Sequence, residues 1–368
     1  YCAFHTYVQM NDLMPAFGDA LCREIELVGA GSGRAGAHTV FLGGGTPSLL
    51  LPEQIERILA AIDGAFALEP DAEVTMEANP NDLTLPYLKM VRAAGINRLS
   101  IGMQSAVEED LRLFERRHDA QAVTDSVHDA RAAGFDNLSL DLMYGTPDQS
   151  LERWERSLEA AMQLAPEHLS LYALSLEAGT PMRAAVETGH LAAPDDDLAA
   201  DMYELASERL AANGFEQYEI SNWARPGRQS RHNLQYWLNA PYLGFGPGAH
   251  GFARGVRYSV LLSPQRYIKA LAVADAGVQY PLGPATAESA QVGRDQEISE
   301  TLIMGMRLIG RGIDRREFSA RFGQDLLEIH GASIRRYAEA GLLDVSAERV
   351  MFTERGRLLS NMVLREFV

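Results

Sequence analysis

Residues 38–45, HTVFLGGG, form a short β-rich run that ends in three glycines and precedes an amphipathic stretch, LPEQIERILAAIDGAF (51–66). The same succession of an apolar run and a helical stretch, with apolar residues spaced i, i+3 and i+4, continues along the chain. Four further runs start 25 to 40 residues apart: AEVTMEAN (72–79), NRLSIGMQS (97–105), NLSLDLMYG (137–145) and HLSLYALS (168–175). This spacing suits βα units, so the sequence predicts an α/β fold with a parallel sheet.

The form of this sheet is indicated by the first strand-to-helix turn. No dinucleotide-binding G-x-G-x-x-G follows the first run, and the evenly repeated units favour a full or partial TIM-like barrel. A doubly wound sheet is the alternative. The run YEISNWA (218–224) comes after a further helical stretch (195–214) and is a possible sixth or terminal strand.

Three regions are predicted from changes in sequence texture. Residues 1–225 hold the barrel, and 226–294, rich in Gly, Asn and aromatic residues, are expected to form loops over the barrel mouth. Residues 295–368 predict helices and a hairpin (341–356), a pattern that resembles a winged helix. Residues 291–368 carry 12 basic and 12 acidic residues without a basic stripe, so a packing or partner domain is favoured over a DNA-binding one.

Composition restricts the partners and the compartment. The 368 residues are 46% apolar and 23% charged, with a formal net charge of −17, which argues against nucleic acid or anionic lipid as a main partner. We see no apolar run of about 18 residues and no signal peptide, and we expect a soluble, cytoplasmic chain. Two cysteines, Cys2 and Cys22, cannot form a disulfide framework and suit a reducing compartment.

Polar residues stand at the ends of the five predicted strands, where a parallel barrel places its active site. The first strand is followed by Gly44, Gly45 and Thr46. The second to fifth strands contribute one residue each: Glu77, Gln104, Asp141 and Ser175. The glycines allow close approach to the backbone, although a tight turn would need them too.

The two carboxylates inside apolar strands are more telling, because burying an unpaired carboxylate is unfavourable. An ion pair of Glu77 or Asp141 with Arg98 or Arg116 is the alternative explanation. We find no triad motif and no zinc motif. The residues alone predict a barrel mouth that binds a polar, partly cationic or hydroxylated small molecule.

Several motifs in order resemble the radical S-adenosylmethionine superfamily, in the branch of oxygen-independent coproporphyrinogen III oxidases and HemW-type heme chaperones. They are YCAF (1–4), GGGTPS (43–48), EANP (77–80), NRLSIGMQS (97–105), DLMYGTP (141–147), YEISNWARPG (218–227) and HNLQYW (232–237). The resemblance covers essentially the whole chain. It implies a partial barrel, a [4Fe-4S] cluster and S-adenosylmethionine.

The resemblance also implies roles for individual residues. Cys2 matches the third cysteine of the C-x-x-x-C-x-x-C cluster motif, so we expect the other two cysteines and a first strand before residue 1. Tyr1 matches an aromatic residue beside the cluster. Contacts to S-adenosylmethionine are implied for Gly44, Gly45, Thr46, Glu77, Gln104, Arg116, Asp141 and Ser175.

The branch is indicated by Phe4, which stands where the oxidases have a further cysteine. The resemblance therefore favours a heme chaperone that delivers heme to respiratory apoproteins at the membrane, with a homodimer possible; the oxidase is the alternative, and a metal-free barrel lyase or hydrolase a more distant one. His232 is the first candidate for the axial heme ligand, flanked by Tyr236 and Trp237, and His250 is the second. A hydrogen-bonded loop histidine would explain His232 equally well.

Overall fold

A computed structural model describes residues 10–274 and 279–367. Helices and strands alternate through the first half of the chain. They are α1 (Met14–Ala30), β1 (Gly36–Leu42), α2 (Pro52–Ala65), β2 (Ala67–Ala78), α3 (Leu85–Ala94), β3 (Arg98–Gln104), α4 (Glu108–Leu113), α5 (Ala120–Ala132), β4 (Leu138–Tyr144), α6 (Leu151–Gln163) and β5 (His168–Ala173).

The second half of the chain is less regular. It contains α7 (Pro181–Glu187), α8 (Asp196–Ala212), β6 (Glu216–Glu219), β7 (Asn222–Ala224), α9 (Arg231–Trp237), β8 (His250–Ala253), β9 (Val256–Val260), α10 (Pro264–Ala272), β10 (Thr286–Gln291), α11 (Arg294–Gly305), β11 (Ile313–Asp314), α12 (Arg315–Phe322), α13 (Leu326–Glu339), β12 (Leu343–Val345), β13 (Arg349–Phe352), α14 (Glu354–Leu358) and α15 (Ser360–Leu364).

The main sheet has seven strands in the order β1-β2-β3-β4-β5-β7-β6. The first five are parallel and follow one another in chain order, so the sheet curls into half a barrel. A doubly wound sheet would instead reverse its strand order at a switch point. The predicted partial barrel is therefore confirmed.

We expected the run YEISNWA (218–224) to form one strand, but the structure contains two, β6 and β7. β6 and β7 pair antiparallel with each other, and β7 pairs antiparallel with β5. The turn between them is stabilised by the Glu219 carboxylate, which accepts a hydrogen bond from the Ser221 N–H at 2.9 Å and another from the Asn222 side chain. These bonds give the fully buried carboxylate partners within the turn.

The five parallel strands alternate between apolar and polar residues. On β4, Leu138, Leu140 and Leu142 are fully buried in the main core under the surrounding helices, where each contributes about 1.5–3 kcal/mol. Ser139 and Asp141 alternate with them and point to the inside of the half-barrel. A slip of one residue would exchange the two faces, so the outer core fixes which polar groups face inward.

α9 covers the inner face of the sheet at its β1 side. The carboxylate of Glu73 on β2 accepts hydrogen bonds from the Ser230 hydroxyl and from the backbone N–H groups of Arg231 and His232. Side chains of α9 also reach Thr39 and His38 on β1. The segment 226–294 further contains α10 and an antiparallel sheet in the order β10-β9-β8. We predicted this segment as loop-rich, and the domain boundaries at 225/226 and 294/295 stay a prediction.

The C-terminal part is a small helical domain with a sheet in the order β11-β13-β12. Its core is separate from that of the barrel and includes Leu302, Phe318 and Ile334. The predicted hairpin is confirmed, with Leu343 opposite Phe352 and Val345 opposite Val350. None of the helices in the described residues has the length and apolar character needed to cross a bilayer.

Candidate functional site

The glycine turn after β1 folds over Glu77. The backbone N–H of Gly44, which has a φ of +82°, donates a hydrogen bond to Glu77 Oε2 at 3.0 Å. A Cβ atom on Gly43 would lie 2.4 Å from Phe41 Cε1 and 2.8 Å from Glu77 Cδ. Glycine is therefore required at Gly43 by close approach and favoured at Gly44 by its backbone conformation.

Glu77 has an unusual electrostatic environment. Burial, together with the negative charge of Asp141, raises the pKa of Glu77 to about 7, and the Gly44 N–H opposes this shift. No arginine charge contributes to the pKa of Glu77, whose causes are burial, Asp141 and the Gly44 N–H. The ion-pair alternative for Glu77 is therefore wrong, and its carboxyl can accept a hydrogen bond from a ligand.

Gln104 closes β3 in a strained conformation. Its φ is +58°, its side chain is buried, and its Oε1 has no hydrogen-bond partner in the described chain. The Nε2 atom would lie 2.9 Å from a Cβ on Gly102, so the carboxamide folds back over that glycine. A buried, unpaired acceptor with a strained backbone is typical of a functional site.

Asp141 and Arg116 complete the polar part of the rim and interior. Burial raises the pKa of Asp141, although the hydroxyls of Ser100 and Ser139 donate hydrogen bonds to its carboxylate at 3.1 and 3.2 Å. Arg116 Nη1 donates to Asn79 Oδ1, just after β2, at 3.1 Å. The charge of Arg98 also opposes the rise in the pKa of Asp141, so these two groups attract each other, although their side chains form no direct hydrogen bond among the described residues.

The predicted residues are brought together to different degrees. Gly44 and Glu77 are in contact, and Ser100, which is opposite Glu77 in the strand register, bonds Asp141. Ser175 lies apart, exposed after β5, with its hydroxyl bound to Glu177. Tyr1 and Cys2 lie outside the described residues. Within those residues, no group of three or more His, Cys, Asp or Glu side chains is arranged to hold a metal ion.

The imidazole of His232, on α9, is held in place by hydrogen bonds at both ring nitrogens. Nδ1 lies 2.9 Å from Thr39 Oγ1, and Nε2 lies 2.9 Å from the Tyr236 hydroxyl. The ring stacks on Phe41, with centroids 5.1 Å apart and an interplanar angle of 18°. Burial lowers the pKa of His232 to about 4, so the imidazole is neutral at pH 7.

A groove of about 860 Å³ runs along the edge of β1 that faces away from β2. Its walls come from α1, β1, α9 and residues 241–250, and both His232 and the exposed His250 contribute to it. Aromatic side chains at the groove are Phe17, Phe41, Phe66, Tyr236, Tyr242, Phe245 and Tyr280. We expected Trp237 to flank His232 together with Tyr236. The Trp237 ring instead packs under the Arg307 guanidinium, whose Cζ lies 5.8 Å from the ring centroid.

Three residues of this region were not predicted from the sequence: Thr39, Phe41 and Glu73. Each lies at an inward position of its strand, and Glu73 and Glu77 share one face of β2 because they are four residues apart. Period-two alternation within the strands was a signal that could have identified Glu73. The contacts of Thr39 and Phe41 with α9 join residues more than 190 positions apart, which no local pattern indicates.

The glycine turn gives a first prediction. We expect Gly43→Ala to destabilise the protein by about 1–3 kcal/mol, because the added Cβ would overlap Phe41 and Glu77. Gly45→Ala is the matched control, since nothing lies within 4 Å of the Cβ it would add. Thermal unfolding of the two variants checks this, and equal melting temperatures would contradict the packing described for Gly43.

The raised pKa of Glu77 gives a second prediction. Between about pH 4.5 and 7 the folded state binds more protons at Glu77 than the unfolded state, so the wild-type protein loses stability as pH rises. Glu77→Gln, which resembles the protonated form, removes this dependence. From pH 5 to 8 we expect the free energy of unfolding of the wild type to fall by about 1–3 kcal/mol relative to the variant. Glu159→Gln, on the exposed face of α6, is the control, and parallel stability curves for wild type and Glu77→Gln would contradict the assignment.

Comparison with known proteins identifies the family. The Radical SAM superfamily model matches residues 1–161, and the HemN C-terminal domain model matches residues 292–359. Coproporphyrinogen III oxidase (HemN) from Escherichia coli has a similar fold, with a TM-score of 0.82 and 23% identity over 100% of this chain and 86% of its own. Heme chaperone HemW from Mycobacterium tuberculosis is 40% identical, covering 99% of this chain and 90% of that protein. HemW from Bacillus subtilis is 35% identical, covering 100% and 95%. As its motifs predicted, this chain belongs to the HemW heme-chaperone family of the radical SAM superfamily.

Proposed function

We propose that this protein binds heme and passes it to respiratory apoproteins, and that it carries a [4Fe-4S] cluster and S-adenosylmethionine. One observation carries the heme part of the proposal. A neutral histidine, His232, lies at a groove rich in aromatic side chains in a member of the heme-chaperone family. Delivery at the membrane, a cytoplasmic location and a homodimer rest on the family resemblance.

The residues at the rim fit S-adenosylmethionine. The ligand carries an amino group, a sulfonium charge and ribose hydroxyls, which need acceptors and open backbone. Gly44 and Gly45 provide accessible backbone, Glu77 a carboxyl without an ion pair, and Gln104 a buried Oε1 with no partner among the described residues. Thr46, Arg116 and Asp141 are further proposed contacts, and so is Ser175, although it lies apart after β5 with its hydroxyl bound to Glu177.

Cys2 is proposed as a ligand of the iron–sulfur cluster, with Tyr1 beside it. When bound, the cluster and S-adenosylmethionine supply electron transfer and radical formation. The protein's own groups hold the ligand and shield the interior. Cys22 is unsuited to the cluster because it is buried on α1 and burial raises the pKa of its thiol, which disfavours the thiolate that binds metals.

A porphyrin bound on the α9 side of this groove would be held by His232 as a ligand of the heme iron. A neutral imidazole is the form that binds heme iron, and Thr39 holds the ring through Nδ1. A contact of this kind orients metal-binding histidines. Nε2 would exchange its contact with the Tyr236 hydroxyl for the iron. Phe41 and Tyr236 supply aromatic surface.

The alternative function is oxygen-independent coproporphyrinogen III oxidation. This chain and the oxidase have similar folds, but their sequences are only 23% identical. The similarity therefore shows the fold alone and does not distinguish the two functions. Phe4, in place of a further cysteine, favours the chaperone.

The choice between chaperone and oxidase gives a third prediction. The complete protein should bind heme, and it should remove no carboxyl groups from coproporphyrinogen III incubated anaerobically with S-adenosylmethionine and a reductant. His232→Ala should weaken heme binding or shift the Soret band, because it removes the axial ligand. His128→Ala, exposed on α5, serves as the control. Catalytic formation of protoporphyrinogen would refute the chaperone, whereas unchanged heme binding in His232→Ala would exclude only His232 as the ligand and make His250 the next candidate.

The two cysteines give a fourth prediction. In the complete protein, Cys2→Ala should abolish the cluster, because the thiolate it removes is a ligand, while Cys22→Ala should retain it. Iron and sulfide analysis together with the visible absorption band measure the outcome. Equal cluster loss in both variants would contradict the assignment of Cys2.

A further inference from the structure

Glu24 is a buried carboxyl group of α1, the helix that forms one wall of the groove. It is 1% exposed. Burial raises the pKa of Glu24, and the N–H of Gly246 and the hydroxyl of Tyr267 oppose this rise. No basic side chain among the described residues contributes to the shift. A buried carboxyl is stable only with hydrogen-bond partners, so its two neutral donors indicate what this group does.

The carboxylate of Glu24 connects three parts of the chain through one oxygen. Its Oε2 accepts a hydrogen bond from the Gly246 N–H at 2.8 Å and another from the Tyr267 hydroxyl, on α10, also at 2.8 Å. Tyr267 is fully buried, and its ring lies beside that of Phe17 on α1, with centroids 6.2 Å apart. Glu24 therefore ties residues 244–250, the wall loop, to α1 and α10.

The two ends of the wall loop are held close together by other contacts. A Cβ atom on Gly244 would lie 2.0 Å from the backbone oxygen of His250, so only glycine allows the ends to approach in this way. The Gly244 N–H donates to the Tyr258 hydroxyl, on β9, at 3.1 Å, and His250 is the first residue of β8. Gly246, between these ends, has a φ of +93° and donates its N–H to Glu24. Glu24 therefore fixes the middle of the loop.

Two side chains of the wall loop belong to the groove. Phe245 and His250 both line it, whereas Glu24 does not. The Phe245 ring packs against Phe66, another groove residue, with centroids 6.1 Å apart. Because Phe245 directly precedes Gly246 in the chain, the hydrogen bond from Gly246 to Glu24 determines where this aromatic ring lies in the groove.

We propose that Glu24 is a positioning residue of the heme groove, which holds the wall loop through Gly246 so that Phe245 and His250 face the bound porphyrin. The inference rests on the proposed heme-binding function and adds a residue that acts without touching the ligand. A carboxylate suits this role because hydrogen bonds to a charged acceptor are about twice as strong as those between neutral groups. The Tyr267 hydroxyl orients the carboxylate toward Gly246.

The test compares the heme affinity of variants at Glu24 in the complete protein. Glu24→Met keeps the length of the side chain but leaves the Gly246 N–H and the Tyr267 hydroxyl without their acceptor. We expect its heme binding, titrated through the Soret band, to be about 10-fold weaker than that of the wild type. Glu24→Gln keeps an oxygen acceptor and should restore most of the affinity. Glu26→Met, at an exposed position of the same helix, is the matched control and should bind heme as the wild type does.

A second ligand separates positioning from general damage to the fold. S-adenosylmethionine is proposed to bind at Gly44 and Glu77, away from the wall loop, so its affinity for the cluster-loaded protein should be unchanged in Glu24→Met. Equal weakening of both ligands, or unchanged heme affinity in a folded Glu24→Met, would overturn the proposal. If Glu24→Met does not fold, Tyr267→Phe takes its place, because it removes one donor from the carboxylate and keeps the ring. The same selective loss of heme affinity is expected, and its absence would overturn the proposal.

Amide hydrogen exchange tests the wall loop without heme. The Gly246 amide should be protected in the wild type and should exchange about 10-fold faster in Glu24→Met, because local opening no longer breaks a hydrogen bond to the carboxylate. The Gly244 amide, bonded to Tyr258, should change less. Equal exchange of the Gly246 amide in the two proteins would overturn the proposal. Absence of heme binding in the wild type would refute the proposed function instead, and the exchange rates would still test the hold of Glu24 on the loop.

Discussion

The hydrogen bonds from the start of α9 to the carboxylate of Glu73 determine how the inside of the half-barrel is closed. Glu73 is buried on β2 and accepts from the backbone N–H of Arg231 at 2.9 Å and from that of His232 at 3.0 Å. Unpaired N–H groups at the first turn of a helix favour a negative partner. The carboxylate therefore fixes where α9 starts, and with it the position of His232 above the inner strands.

The polar interior follows from this closure. The inward faces of β2 to β5 carry acids, hydroxyls and Arg98. Because these groups are shielded from bulk water, the sheet is stable only if they form hydrogen bonds within the protein or with a ligand. Most of them do: Ser139 bonds both Asp141 and His168, and His168 bonds Tyr218. This network extends through Asn233 on α9 to Glu219. Groups that remain unsatisfied, such as Gln104 Oε1 and Arg98 Nε, are consequently informative about ligands.

The sequence predicts the fold better than it predicts the site. Each of the five parallel strands lies within a few residues of its predicted run, because regular alternation and helix spacing are local properties. YEISNWA was misassigned as one strand because the turn within it is stabilised by hydrogen bonds of the Glu219 side chain, which alternation does not reveal. Arg98 was considered as an ion-pair partner of Glu77 or Asp141, since a pattern identifies the face of a strand but not the distance between side chains on that face.

The two proposed binding regions meet on a single strand end. Thr39 and Phe41 contact His232 from inward positions of β1, and Gly43 and Gly44 follow immediately and enclose Glu77. The missing side chain of Gly43 is what lets Phe41 and Glu77 approach each other, since a Cβ there would overlap both. The imidazole at the groove and the carboxyl at the rim are thus connected through one close-packed contact. Phe41 stacks on the imidazole of His232 and lies close to Gly43, whose missing Cβ leaves room for Glu77. The same short segment therefore contributes residues to both proposed sites.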